Sequence, residues 1–203
     1  MTTYHNQFVF LKFDINGKHI PLDHGYSLFS AIKHRIPMIS QNEKIIIHPI
    51  KGKSLIKEKV IEINSYSKLV IVCPADYVDE FIKNLYEEKI ELYNKRIVIG
   101  NANISEIRYK PILKSEIVVI DNVFDGDKFK SSLEEMFKNK NYDNLDIKIP
   151  KIHDNYSFRK RSIKGKNQIG FPVIISEINE KDSIRLQRHG IGKHKHCGCG
   201  CFK

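Results

Sequence analysis

The fold of this chain is indicated by residues 8–35, which read FVFLKFDINGKHIPLDHGYSLFSAIKHR. The first part of this stretch alternates apolar and polar residues, as a half-buried β-strand does. An Asn-Gly pair then predicts a turn. Asp23 is expected to cap a helix over 25–35, because apolar residues recur there at helical spacing. The stretch therefore predicts a strand followed by a helix.

The same two patterns continue along the chain. Strands are predicted at 44–50, 55–63 and 67–73, a second helix at 76–86, and another strand or a hairpin at 89–99. The order then repeats with a strand at 114–121, a helix at 125–138, strands at 155–164 and 168–176, a helix at 180–189 capped by Asn179, and a final strand at 197–202. The second half, and the first half apart from one additional strand, follow the order β-α-β-β-α-β, which predicts an α+β protein of two tandem ferredoxin-like domains. We place these domains at residues 1–108 and 109–203.

The positive charge of the chain is concentrated in its last quarter. Of the formal net charge of +10, residues 1–150 contribute +2, from 22 Lys+Arg and 20 Asp+Glu. Residues 151–203 contribute +8, from 12 Lys+Arg and 4 Asp+Glu. A localised basic surface is typical of proteins that bind nucleic acid. The composition, 41% hydrophobic and 29% charged, is otherwise that of an ordinary globular protein.

The sequence predicts neither a membrane segment nor a secretion signal. No apolar run approaches the ~20 residues of a membrane span, and the start, MTTYHNQFVF, lacks the basic and apolar regions of a signal peptide. We therefore expect a cytoplasmic protein with no membrane partner. Cys73, inside the apolar run LVIVCPA, is expected to be a small core residue.

The tail of the chain, residues 187–202, reads QRHGIGKHKHCGCGCF and allows two interpretations. Gly190 and Gly192 can form a turn whose amides make a nest for a phosphate, with nearby Lys and Arg supplying charge. The alternative is a zinc site built from the histidines and cysteines. However, structural zinc sites usually use Cys pairs separated by roughly two to four residues, and alternate residues of a strand do not converge on one ion. We favour the phosphate interpretation and expect no metal.

Several short motifs, taken together, resemble one known family. They are IPLDHGYSLFSA at 20–31, IHPIKG at 47–52, GFPV at 170–173, DSIRLQ at 182–187, GIG at 190–192 and GCG at 198–200. In this order they resemble the CRISPR-associated endoribonucleases that cut precursor CRISPR RNA within its repeats, and specifically the myxan subtype. The resemblance spans nearly the whole chain.

The resemblance implies tandem ferredoxin-like domains and RNA cleavage that needs no metal or other cofactor. In that chemistry a 2′-hydroxyl attacks the adjacent phosphate, which leaves a 2′,3′-cyclic phosphate and a 5′-hydroxyl end. It also implies two kinds of partner, the stem-loop of CRISPR repeat RNA and the subunits of a Cascade-like CRISPR effector complex. The alternative is a subunit of such a complex that binds repeat RNA without cutting it.

The resemblance also indicates candidate catalytic residues. His24 matches a histidine of the family motif and is the expected acid–base group. Tyr26 either donates to a phosphate oxygen, stacks on a base, or is a core tyrosine on the first turn of the helix. Ser40 stands where family members place a histidine after the proline that ends the first helix. We keep Ser40 in the catalytic set, but serine is not a base near neutral pH, so it motivates the non-catalytic alternative. His34 is a substitute, although an exposed histidine at a helix end is usually not catalytic.

RNA-binding residues are predicted in two places. The first is the basic hairpin formed by the strands at 155–164 and 168–176, with contacts from Arg159, Lys160, Arg161, Lys164 and Lys166 to the RNA backbone. Tyr156 and Phe158 alternate with these cations, so they either stack on a base or belong to the core. The second place is the tail, where the expected contacts are Gly190, Gly192, Lys193, His194, Lys195 and His196.

Overall fold

The computed structural model describes residues 7–142 and 144–203, and the chain divides into two compact units between Ile107 and Arg108. The first unit contains β1 (Phe8–Asn16), β2 (His19–Pro21), α1 (Gly25–Arg35), β3 (Ile46–Ile47), β4 (Lys53–Leu55), β5 (Val60–Glu62), β6 (Lys68–Pro74), α2 (Val78–Leu85), β7 (Lys89–Leu92) and β8 (Lys95–Glu106). The second contains β9 (Leu113–Val118), α3 (Gly126–Asn139), β10 (Asp146–Lys148), β11 (Lys151–Ile152), β12 (Asn155–Tyr156), β13 (Arg159–Ile163), β14 (Lys166–Ser176) and α4 (Glu180–His189). Short 3-10 helices lie at Pro37–Ser40, Ala75–Tyr77 and Lys195–Cys197.

The first unit is built on an antiparallel sheet with the strand order β3-β6-β1-β8-β7. Strand β1 lies in the middle of the sheet, between β6 and β8. Every second residue from Leu11 to Ile15 is apolar and buried, so one face of this strand belongs to the core. Helices α1 and α2 add Ile32 and Phe81 to the same core, and both side chains are fully buried. The order β3-β6-β1-β8 is that of a ferredoxin-like β-α-β-β-α-β unit, which β7 extends by one strand.

The second unit is built around β14, which uses its two halves differently. Its first half pairs with β13 in a hairpin, and its second half pairs with β9 and β10. Helix α3 covers this sheet, and the ring centroids of Phe129 and Phe171 are 4.6 Å apart. The order β10-β14-β9 again matches the ferredoxin-like arrangement, so the α+β prediction with tandem ferredoxin-like domains is confirmed.

The prediction of a fourth strand in the second unit, at 197–202, is wrong. It is the following residue, Lys203, that pairs with β9, through reciprocal backbone hydrogen bonds of 3.1 and 3.2 Å with Lys114. The preceding residues form a 3-10 turn and then bend, because Gly198 and Gly200 have φ of 83° and 64°. Such positive φ values are incompatible with an extended strand. The alternation of cysteine and glycine therefore resembled a strand without being one.

Most other sequence predictions are close to the observed elements. The helices expected at 25–35 and 180–189 are confirmed, and Asn179 caps α4 by accepting a hydrogen bond of 2.9 Å from the N–H of Asp182. The cap predicted at Asp23 is wrong, since the residue before α1 is His24 and its side chain makes no capping bond. The domain limits given above, 1–108 and 109–203, stay a prediction. No helix in the described part of the chain has the length and apolar character needed to span a bilayer.

Candidate nucleic-acid interface

The basic hairpin comprises β13, its turn and the first half of β14, residues 159–170. Its turn residues Lys164 and Gly165 have φ of 52° and 73°, which is the positive-φ pair that tight hairpins favour. The side chains of Arg159, Lys160, Lys164 and Lys166 are exposed, and Arg161 is half-buried. The hairpin predicted from the sequence is therefore confirmed, and it presents its cations to solvent.

An exposed aromatic side chain lies at the start of this hairpin. Phe158 is 53% exposed, and the Nζ of Lys160 lies 5.8 Å from its ring centroid. The guanidinium of Arg159 donates to Ser157 Oγ and to the carbonyl of Phe158, over 2.9 and 3.1 Å. An open ring beside two cations is suited to stacking on a base.

The neighbouring aromatic residue has a structural role instead. The hydroxyl of Tyr156 donates to Asp127 Oδ1 over 2.9 Å, and the ring lies so close to Gly126 that a Cβ there would come within 2.0 Å of it. Tyr156 therefore links β12 to the first turn of α3. The sequence left base stacking and core packing open for both aromatic residues. Tyr156 packs against the core of the second unit, whereas Phe158 is exposed and its stacking on a base stays a prediction.

The glycine-rich loop, residues 190–202, is held to β9 and its following turn by backbone hydrogen bonds. The N–H of Ile191 donates to the carbonyl of Gly200 over 3.0 Å, and the N–H of Gly200 donates to the carbonyl of Ile117 over 2.7 Å. The N–H of Lys193 donates to the carbonyl of Val119 over 2.9 Å. These amides therefore bind protein carbonyls, and they are not part of an open nest for a phosphate.

The glycines of this loop are required by close backbone approach. A Cβ on Gly200 would lie 1.8 Å from the carbonyl oxygen of Ile191, and one on Gly192 would lie 2.5 Å from that of Val119. Both glycines have positive φ, 64° and 80°, so other residues would be strained as well. Gly190 is restricted in the same way, since its φ is 56° and a Cβ on it would lie 2.3 Å from the carbonyl oxygen of Gly200. The predicted contact of Gly190 and Gly192 with RNA stays a prediction.

The cationic side chains of the loop differ in their surroundings. Lys193 is exposed and lies 3.5 Å from a carboxylate oxygen of Asp121. Burial lowers the pKa of His194 below its ordinary value, and the opposing effect of Asp121 is smaller. His194 is therefore neutral near pH 7 in the free protein, and the fixed charge comes from Lys193 and Lys195. His196 is half-buried.

The cysteines of the loop are buried. Cys197, Cys199 and Cys201 are 6%, 0% and 5% exposed, and the Sγ of Cys201 lies 3.5 Å from the carbonyl oxygen of Lys195. Burial raises the pKa of Cys201 well above its ordinary value. Within residues 7–142 and 144–203, no group of three or more His, Cys, Asp and Glu side chains is placed to hold a metal ion. The described residues thus give the zinc interpretation no site.

His24 is buried and engaged through both ring nitrogens. Its exposed fraction is 2%, its Nδ1 lies 3.0 Å from the carbonyl oxygen of Pro21, and its Nε2 lies 2.9 Å from the backbone nitrogen of Ile50. A carbonyl only accepts and an amide N–H only donates, so Nδ1 carries the proton and Nε2 accepts. This geometry is that of a histidine joining two segments of the first unit. Its catalytic role stays a prediction.

The other candidates of the first unit lie nearer the surface. Tyr26 is half-buried on the first turn of α1, and Ser40 is exposed at the end of its 3-10 helix. The hydroxyl of Ser40 donates to the carbonyl of Pro37 over 2.9 Å. His34 is exposed in the last turn of α1, as the sequence suggested. The catalytic assignments of Tyr26 and Ser40 also stay predictions.

Sequence reasoning missed one group of exposed residues in the first unit. Tyr66 lies with Lys51 and Lys53 around an open pocket. The available signal was an aromatic residue inside the polar turn NSYS at 64–67, close to a lysine-rich hairpin. The charge distribution does not single out this turn, because the excess positive charge lies in residues 151–203.

Comparison with known proteins gives a consistent family. The family model described as Cas6 Crispr matches residues 9–203. A curated relative, the CRISPR-associated endonuclease Cas6 of Myxococcus xanthus (strain DK1622), is 24% identical over 197 residues, covering 96% of this chain and 80% of the relative. A solved structure described as a Cas6-related gene from Pyrococcus furiosus has a TM-score of 0.64 at 15% identity, covering 97% of this chain and 98% of the other. A second, described as a RAMP protein binding different RNA substrates, has a TM-score of 0.67 at 12% identity with the same coverage. These structures establish the likeness of fold.

Proposed function

This chain belongs to the Cas6 family, and we propose that it is an endoribonuclease that cuts precursor CRISPR RNA within its repeats. The observation that carries the proposal is the family match from residue 9 to residue 203. A relative matched over 96% of this chain is named an endonuclease, which supports the same activity. The exposed cations of the basic hairpin supply a surface that an RNA backbone requires.

The reaction we propose is a transesterification without a metal ion or other cofactor. A general base removes the proton of the 2′-hydroxyl, whose oxygen attacks the adjacent phosphorus. The 5′ oxygen leaves with a proton from a general acid, while cations stabilise the negative charge of the phosphorane. Each cut leaves a 2′,3′-cyclic phosphate on one side and a 5′-hydroxyl on the other, so a guide RNA released by cuts in two successive repeats carries both kinds of end.

The proposed catalytic residues are His24, Tyr26 and Ser40. To exchange a proton with RNA, His24 has to give up its bond to the N–H of Ile50 or to the carbonyl of Pro21. Tyr26 and Ser40 each carry a hydroxyl that can donate to a phosphate oxygen. Cleavage by this set therefore depends on a rearrangement around His24 when RNA binds.

The proposed RNA contacts divide between two structural features of the second unit. Arg159, Lys160, Arg161, Lys164 and Lys166 of the basic hairpin hold the backbone of the repeat stem, and Gly190, Gly192, Lys193, His194, Lys195 and His196 form the contact of the glycine-rich loop. An RNA stem is recognised through its shape and its phosphates, so cations on a projecting hairpin suit it. After cleavage the protein stays bound to the stem-loop as a subunit of a Cascade-like complex in the cytoplasm.

A second candidate function is favoured by the geometry of the first unit. The ring nitrogens of His24 are engaged with backbone groups, and Ser40 is not a base near neutral pH. Both observations favour a subunit that binds repeat RNA and has lost efficient cleavage.

One experiment separates the two candidates. The protein is incubated in EDTA with a labelled CRISPR repeat RNA from its own genome, and with the same RNA carrying a 2′-deoxy nucleotide at the cut position. An endoribonuclease of the proposed kind cuts the first RNA once at the base of the stem and leaves the second intact. Tight binding of both RNAs without any cut supports the binding subunit and refutes the enzyme.

A further inference from the structure

An exposed tyrosine and two lysines surround an open pocket on the first unit. The pocket has a volume of about 260 Å³ and is lined by Lys51, Gly52, Lys53, Asn64 and Tyr66. Tyr66 is 89% exposed, which is the largest value among the bulky apolar and aromatic side chains of the described residues. A ring with this exposure leaves its faces open to solvent, and an open aromatic face beside cations is the arrangement on which an unpaired base stacks.

Hydrogen bonds hold the turn that carries Tyr66 in one conformation. The Oδ1 of Asn64 accepts a hydrogen bond of 3.0 Å from the N–H of Tyr66, and the N–H of Asn64 donates to Ser67 Oγ over 3.1 Å. Ser67 itself is 1% exposed, and its N–H donates to the carbonyl of Asn64 over 2.9 Å. These bonds fix the backbone of the turn, so the ring of Tyr66 projects from a defined point.

The positions of Lys51 and Lys53 are set by the packing of the backbone between them against β5. A Cβ on Gly52 would lie 2.3 Å from the carbonyl oxygen of Glu62, so the chain between Lys51 and Lys53 is pressed against β5. Lys53 is opposite Glu62 in the β4–β5 pairing, with 3.6 Å between Nζ and Oε2. Both side chains of that pair are well exposed, so the interaction is weak and a phosphate can replace the carboxylate.

We propose that this pocket binds one unpaired nucleotide of the RNA, which lies outside the repeat stem. The base stacks on Tyr66, and the phosphate lies between the ammonium groups of Lys51 and Lys53. The nucleotide must be unpaired, because a base inside a stem has its faces covered by its neighbours. This inference rests on the proposed function, and it adds a subsite on the first unit to the cations of the second.

A similar group of residues in the same unit lacks this property. Tyr93 is 62% exposed in the β7–β8 turn and lines an open pocket with Lys95 and Arg96. Glu91 is one of the lining residues of this pocket, and its Oε1 lies 2.6 Å from the guanidinium of Arg96, whereas the residues that line the Tyr66 pocket include no carboxylate. A carboxylate in the lining disfavours a phosphate, and Tyr93 is therefore a matched control for Tyr66.

The test compares two fluorescent RNAs. One is the repeat stem-loop with a single-stranded 5′ flank and 3′ flank, made uncleavable by a 2′-deoxy nucleotide at the cut position, and the other is the same stem-loop trimmed to its paired bases. The proteins are wild type, Tyr66→Ala, Tyr66→Phe, Lys51→Ala/Lys53→Ala and Tyr93→Ala. Dissociation constants are measured at several salt concentrations.

Tyr66→Ala is expected to weaken binding of the flanked RNA about fivefold or more, and to leave the trimmed RNA unchanged. Tyr66→Phe and Tyr93→Ala keep the wild-type affinity, because the first retains the stacking face and the second lies elsewhere. The lysine variant lowers the salt dependence for the flanked RNA by about one phosphate contact.

The inference is wrong if Tyr66→Ala binds the flanked RNA with the same affinity as wild type. In that case the ring does not contact RNA, and a protein partner is the remaining candidate. It is also wrong if both RNAs weaken equally. A wild-type protein that binds neither RNA refutes the proposed function itself, and the inference with it.

Discussion

The Nε2 of His24 accepts a hydrogen bond of 2.9 Å from the backbone N–H of Ile50, and so links the start of α1 to the segment after β3. The two residues are 26 positions apart in the chain and belong to two of the motifs that carry the family resemblance, 20–31 and 47–52. The bond is buried, so neither group can turn to water if the other is removed. His24 therefore stabilises the first unit whatever it contributes to RNA cleavage.

Replacing His24 by alanine is expected to lower the free energy of unfolding by about 1–3 kcal/mol, because the N–H of Ile50 and the carbonyl of Pro21 lose their partner. Urea unfolding measures this. His34→Ala, at an exposed site on the same helix, is the control and should stay within about 0.5 kcal/mol of wild type. Equal stabilities of the two variants would contradict the structural role. Loss of cleavage by His24→Ala at a temperature where it is folded would support the catalytic one.

Replacing Gly200 by alanine is expected to disrupt the glycine-rich loop. The new Cβ would lie 1.8 Å from the carbonyl oxygen of Ile191, at a φ of 64°. Gly165→Ala is the matched control, since its φ is 73° but nothing lies within 4 Å of the new Cβ. The free energy of unfolding of Gly165→Ala should fall by about 1–2 kcal/mol, which is the cost of a left-handed backbone for a residue with a Cβ. That of Gly200→Ala should fall clearly more. Thermal unfolding and RNA affinity are measured together, and equal losses in both variants would refute the close-approach argument.

Removing two cations from the basic hairpin should weaken RNA binding and its salt dependence together. For Lys164→Ala/Lys166→Ala we expect the slope of log affinity against log salt to fall by about 0.7–0.9 for each phosphate that the hairpin no longer neutralises. Lys130→Ala/Lys138→Ala on α3 makes the same change in net charge at exposed positions. Filter binding at several salt concentrations distinguishes a local interaction from a general charge effect. The hairpin is not the binding surface if the two double variants behave alike.

The cysteines are expected to resist thiol reagents in the folded protein. Burial raises the pKa of Cys73 to about 12 and that of Cys201 well above its ordinary value, so their thiolate forms are scarce at pH 7. Cys197 and Cys199 are buried as well. Alkylation followed by mass spectrometry should show no modification within minutes, and complete modification in urea. Rapid labelling of the native protein would indicate an open tail, and a parallel sample in a chelator should label no faster.

The stability of the protein should decrease as the pH falls below about 6.5, and His194 should contribute to that decrease. Burial lowers the pKa of His194 in the folded state, so the unfolded chain takes up the proton first and is favoured as pH falls from 6.5 towards the folded pKa. His194→Asn keeps a residue that tolerates the φ of 60° and removes the titrating group. The variant should therefore lose less stability than wild type over this window. At pH 8 the difference between the two should no longer depend on pH, and parallel profiles down to pH 5 would contradict the argument.

Local signals predicted most of the fold. The alternation of β1, the helical spacing of α1 and the Lys-Gly turn of the hairpin each depend on neighbouring residues, and each is confirmed. The final strand was wrong because its outcome depends on a distant contact. The backbone at Gly200 packs against the carbonyl of Ile191, and the segment bends there. No pattern of neighbouring residues indicates this contact.

The candidate site follows the same division. The order of amino acids alone indicates an α+β chain, a basic last quarter, a cationic hairpin and motifs that resemble one RNA-processing family, since all of these are properties of composition and short-range pattern. Tertiary structure decided that His24 is bonded at both nitrogens, that Phe158 is open while Tyr156 is fixed, and that Tyr66 lies beside Lys51 and Lys53. The reason is physical: whether a polar or aromatic side chain is available depends on which distant groups the folded backbone brings within hydrogen-bonding or packing distance.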